Sequence, residues 1–91
     1  MKIIRRSSAG KTLVIDIDFK DNVITSIYIS GDYFAYPETL IEELEEKLKG
    51  KTLTEALKII DAYKGKLTLL GITLEDIKQA IKDAYNNLRR N

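Results

Sequence analysis

Ninety-one residues suffice for one domain with a single core and leave no room for a second. Fifteen basic residues against fourteen acidic ones give a formal charge of +1, which argues against a broad phosphate-binding surface, and 44% apolar with 32% charged residues is the composition of a chain that folds. Cysteine and histidine are both absent, which excludes disulfides, thiolate metal sites, thiol catalysis and every Ser-His triad.

Met1 to Arg6 lacks the apolar region of a signal peptide, and no stretch approaches the roughly 20 apolar residues of a membrane span, so a cytoplasmic protein is expected. Lys2 to Arg6 reads as a short edge strand, and the small residues Ser7 to Gly10 suit a hairpin turn. From Lys11 to Lys20 the chain alternates. Leu13, Ile15, Ile17 and Phe19 face a core, while Thr12, Val14, Asp16 and Asp18 face away. Asp21-Asn22 is a tight-turn pair, because both residues tolerate left-handed backbone. In the strand that follows, unbroken alternation assigns Val23, Thr25, Ile27 and Ile29 to the core and Ile24, Ser26, Tyr28 and Ser30 to the other face.

Pro37 and Glu38 open a helix, the proline by its fixed φ and missing N–H and the glutamate by its charge at the positive end of the helix dipole. Leu40, Ile41, Leu44 and Leu48 then recur at helical spacing, and Gly50 ends the helix. Thr52-Leu53-Thr54-Glu55 fits a capping box for a second helix running to about Tyr63, with Leu53, Ala56, Leu57 and Ile60 inward. Leu67 to Leu70 is an apolar run whose conformation the pattern leaves open. Thr73 to Asp76 starts a third helix with Ile77, Ala80, Ile81, Ala84, Tyr85 and Leu88 on one face and Arg89 and Arg90 at its negative end. Strands first and helices after predict an α+β fold, a small antiparallel sheet of about three strands followed by three helices packed on one face, with residues 1–91 as a single domain.

The chemistry in this pattern is sparse. Asp16 and Asp18 share a strand face, but alternating carboxylates between Lys11 and Lys20 are the ordinary make-up of a solvated surface. Gly10-Lys11-Thr12 has the ending of a phosphate loop without its upstream glycine, and a strand rather than a helix follows. The most distinctive stretch is Ile29-Ser30-Gly31-Asp32-Tyr33-Phe34, continued through Tyr36 and Pro37. Gly31 suits a bend or a close approach of another chain segment, and Asp32 suits a carboxylate that accepts N–H groups of the turn that follows. Of the three rings, one reading has Phe34 plug the gap between sheet and helix while the tyrosines shield it. The other leaves one or both tyrosines exposed as anchors for a partner.

Gly10-Lys11 at a strand start, the word from Ile29 to Phe34, Pro37-Glu38, the acidic helix and Leu48-Lys49-Gly50-Lys51 together resemble the accessory, carboxy-terminal domain of lipoate-protein ligases. The resemblance runs from about Gly10 to the end, most specifically in its first half. It implies a division of labour. A catalytic subunit binds ATP, magnesium and lipoate, forms lipoyl-AMP and transfers the lipoyl group to a carrier-protein lysine. The small domain supports the adenylation half, fused to the catalytic domain in some ligases and a separate polypeptide in others, notably archaeal ones. A short chain opening on its own methionine matches the separate form.

On that basis the expected role is a non-catalytic accessory subunit in a heterodimer, binding no cofactor by itself and meeting the lipoyl carrier domain only indirectly. Catalytic and metal-ligating residues are expected to be none. Tyr33 and Tyr36, with Lys11 near the same edge, are the expected partner contacts, and Gly31, Asp32 and Pro37 shape the turn. The alternatives are a single-stranded nucleic-acid module using Tyr28 and nearby cations, or a self-associating module pairing through the edge strand Lys2 to Arg6.

Overall fold

The computed structural model describes residues 1–89, so the expectation for Arg90 lies outside it. Strands β1 (Lys2–Arg6), β2 (Thr12–Lys20) and β3 (Val23–Gly31) form an antiparallel sheet in the order β1-β2-β3. Strand β4 (Phe34–Tyr36) leads into α1 (Thr39–Leu48) and α2 (Leu53–Asp61). Then come β5 (Thr68–Leu70), which pairs antiparallel with β4, and α3 (Leu74–Arg89). The α+β class and the layer order are as the sequence predicts. The two-stranded ribbon β4–β5 is an addition to them, and it settles the apolar run at Leu67 to Leu70 as mostly strand.

Alternation in β2 buries Leu13, Ile15 and Ile17 completely. Phe19 reaches only the margin of the core and meets Tyr85 of α3 edge-on, the ring centroids 5.5 Å apart. Asp21 and Asn22 take φ values of 53° and 67°, both left-handed, and this matches the twist of the flanking strands. The alternation assigned to β3 is corrected by a bulge. Asp18 pairs with Ser26 and Phe19 with Ile24, so Thr25 is an extra residue on its strand. Ile24 therefore turns into the core beside Ile27 and Ile29, whereas Thr25 is exposed and its hydroxyl donates to the Asp18 carbonyl oxygen.

The helices lie on the inner face of this sheet and supply Leu44, Leu48, Ala56, Ile60, Ile77, Ala80, Ile81 and Ala84 to the core. Helix α1 begins at Thr39, two residues later than Pro37, and no side chain caps it. The Pro37 and Glu38 carbonyl oxygens accept the Leu40 and Ile41 N–H groups, so both residues form the turn that feeds the helix. Gly50 follows α1 at φ 80°, in the conformation expected of the stop. The capping box of α2 is complete, with Glu55 N–H donating to Thr52 Oγ1 at 3.3 Å and Thr52 N–H to Glu55 Oε1 at 3.0 Å. That helix ends at Asp61, and Tyr63 just beyond it turns inward to donate its hydroxyl to Glu43 at 2.6 Å.

Helix α3 is tied to the far end of the chain. Ser7 and Asp76 are both buried, and the Ser7 hydroxyl donates to Asp76 Oδ2 at 2.6 Å. Arg5 Nε donates to Asp76 Oδ1 at 2.8 Å, and Thr73 adds its N–H at 2.9 Å and its hydroxyl at 3.1 Å. Burial opposes the charge on Asp76, but these donors outweigh it and hold the carboxyl down to about 2. No helix among the described residues is long and apolar enough to cross a membrane.

Candidate functional site

The stretch from Gly31 to Pro37 leaves the sheet at a crossing of two chain segments. Gly31 has φ +143°, and a Cβ there would land on the Thr12 carbonyl oxygen, so this position demands glycine for both conformation and space. Asp32 then continues the β2–β3 pairing by one residue. Its N–H donates to the Thr12 carbonyl oxygen at 3.3 Å, and its Oδ1 accepts the Thr12 N–H at 2.7 Å. The side chain stands where a strand would place a backbone acceptor. Its bond lies across the sheet, and not within the following turn as the sequence suggests. The Thr12 N–H is the main reason its carboxyl sits below the usual range; Lys11 and Arg6 act in the same direction.

Lys11 completes the crossing from the other side. Its N–H donates to the Gly71 carbonyl oxygen at 3.0 Å, and its stem lies over Gly71 so closely that a Cβ on that glycine would collide with it. Gly71 directly follows β5, so the Lys11 turn, the Gly31–Asp32 corner and the β4–β5 ribbon form one continuous edge. Lys11 and Asp32 thus lie near each other on this edge. Gly71 and β5 are the parts of this edge that sequence reading missed.

Ribbon geometry sorts the aromatic rings. Phe34 and Tyr36 alternate with Ala35, and they are 69% and 75% exposed while Ala35 packs toward the core with Leu69 across the ribbon. Leu70, directly opposite Phe34, is 63% exposed and completes an apolar outer face. Tyr33, one residue before the strand, is half-buried against the core, and its hydroxyl is pushed up by that burial and by the Glu45 carboxylate. The plug reading is therefore reversed. Tyr33 takes the inner position expected of Phe34, and Phe34 joins Tyr36 on the outside, because a three-residue strand forces positions 34 and 36 to one face. Asp16 and Asp18 lie on the solvent face of β2, where their carboxylates are 3.8 and 3.1 Å from the Met1 amino group.

A three-stranded sheet layered with three helices, its carboxy-terminal half returning a ribbon to the sheet's edge, defines a small α+β domain whose most distinctive surface is an exposed aromatic edge. Residues 2–82 match the family model described as the bacterial lipoate protein ligase C-terminus, and the chain belongs to that family. It is 37% identical over 76 residues to lipoate-protein ligase A subunit 2 of Thermoplasma acidophilum, across 81% of each protein. Its fold matches a chain in the solved structure of an archaeal lipoylation system, a bi-partite lipoate protein ligase and its E2 lipoyl domain from the same organism. That match has a TM-score of 0.73 at 31% identity and covers 88% of this chain and 96% of the other.

Proposed function

We propose that this chain is the accessory subunit of a two-component lipoate-protein ligase, required with a catalytic subunit for ATP-dependent activation of lipoate to lipoyl-AMP before transfer to a carrier-protein lysine. The observation that carries this reading is the match to a relative that is itself a second ligase subunit, over four fifths of both chains. ATP, magnesium and lipoate belong to the catalytic subunit in this reading, and the carrier domain is met through that subunit. The contribution of this chain is then made by contact. It binds the adenylation-competent conformation of its partner more tightly than the resting one and so populates it.

A change from one competent molecule in a hundred to ninety-nine requires a preference of about 10⁴-fold, or about 5.5 kcal/mol. A few well-packed aromatic anchors supply energies of that order. The outer face of the β4–β5 ribbon offers Phe34, Tyr36 and Leu70 for that purpose, with Lys11 at its end and Tyr33 beneath it as support. Formation of lipoyl-AMP by the catalytic subunit, measured with and without stoichiometric accessory chain, tests the reading. The expected result is a large increase on addition, and equal rates would refute it.

A further inference from the structure

Glu38 and the four glutamates of α1, Glu42, Glu43, Glu45 and Glu46, divide into two sets. Glu43 accepts the Tyr63 hydroxyl and lies 3.9 Å from Lys47 Nζ, and Glu46 pairs with Lys49 at 3.0 Å. Glu38, Glu42 and Glu45 form no ion pair among the described residues, and these three line one cleft of about 370 Å³. Apolar surface in the same lining comes from Ile29, Phe34 and, beside the glutamates on α1, Ile41. The cleft lies along β3, the edge strand of the sheet, and Glu45 reaches into it to accept the Ile29 N–H at 2.7 Å. Phe34 borders both this cleft and the outer face of the ribbon.

We propose that this cleft receives a lysine- or arginine-bearing segment of the catalytic subunit, its methylene stem lying on Phe34 and Ile41 and its cation meeting Glu38 and Glu42. The inference rests on the subunit reading above and names the surface and the chemistry that reading leaves open. A long cationic side chain matches this mixed lining, since its stem covers apolar surface while its head remains among charges. The exposed ring of Phe34 adds attraction for a cation above its face. An uncharged apolar segment would desolvate the Glu38 and Glu42 carboxylates without compensation, and an acidic segment or a nucleic-acid strand would be repelled. A bound metal ion is a poorer occupant, because no group of three or more carboxylates among the described residues is arranged to hold one.

The test is calorimetric titration of the purified catalytic subunit with the full accessory chain at low and high salt, using two double variants. Glu38→Gln with Glu42→Gln removes the rim charges from two exposed positions and leaves the Glu45 bond to Ile29 in place. We expect it to weaken binding about tenfold at low salt and to flatten the salt dependence. Glu43→Gln with Glu46→Gln, which removes two charges outside the cleft, is expected to change neither. Wild-type affinity and salt dependence in the first double variant, or equal losses in both, would overturn the cleft while leaving the subunit reading intact. Failure of the wild-type chains to associate at all would overturn the reading itself, and this inference with it.

Discussion

Replacing Asp76 by asparagine should cost about 2 kcal/mol at neutral pH and remove a defined part of the acid sensitivity of the fold. The carboxyl moves from an ordinary 3.8 to about 2 in the folded chain, and at about 1.4 kcal/mol per unit this is about 2 kcal/mol of stability. Its side chain is only 7% exposed, so little solvent screening reduces that figure. The asparagine keeps the shape but not the chemistry. If its oxygen takes the three donors that Oδ2 serves, its amino group faces the Arg5 Nε–H, donor against donor. For a domain of this size the loss corresponds to a fall in Tm of roughly 10 °C. The sign with pH follows from the depressed value. The contribution is fully present above about pH 4 and is lost as pH falls toward about 2. Urea unfolding of wild type and variant, followed by circular dichroism from pH 7 down to 2, isolates this group, because Asp18, Asp32 and Glu55, also held low, titrate alike in both. The stability difference should close between pH 4 and 2. A variant as stable as wild type at pH 7, or a difference that persists unchanged at pH 2, would refute the argument.

Gly31→Ala should destabilise the chain by about 2 kcal/mol or more, since it meets both a forbidden φ and the Thr12 carbonyl oxygen. Gly50→Ala, also at positive φ but with open space around the added Cβ, should cost about 1 kcal/mol, and equal losses in denaturant would remove the steric part of this account. Tyr36→Ala should leave stability within about 0.5 kcal/mol and weaken association with the catalytic subunit about tenfold or more, whereas Tyr33→Ala should lose about 2 kcal/mol of stability. Unfolding and titration of both variants check this, and a destabilised Tyr36→Ala would place its ring in the core instead.

The features readable from the sequence are those set by neighbours in the chain. Thr52 and Glu55 satisfy each other's backbone across three residues, Asp21-Asn22 carries its own left-handed preference, and Leu13 to Ile17 alternate without interruption. A bulge defeats this kind of reading. Thr25 shifts the period of β3 by one residue, and nothing in Val23-Ile24-Thr25 distinguishes the inserted residue from a regular one. The Asp76 cluster has the same difficulty on a larger scale. The local pattern Thr73-x-x-Asp76 marks a helix cap, but Ser7, 69 residues away, becomes visible only when β1 and α3 pack together.

The aromatic edge explains why family resemblance and site geometry were legible to different degrees. The word Gly31-Asp32-Tyr33-Phe34 is contiguous in the chain, and its glycine is fixed by contact with Thr12. A strand of three residues is too short to show its period, so the exposure of Phe34 cannot be read from its neighbours. What turns that ring outward is β5, whose Leu70 pairs with Phe34 and whose Leu69 pairs with Ala35. Gly71 then brings the chain back to Lys11, so three separated segments hold one edge in register. An edge held from three sides fixes the backbone that carries these rings before a partner arrives. The ordering cost of binding a partner through Phe34 and Tyr36 would thereby be reduced.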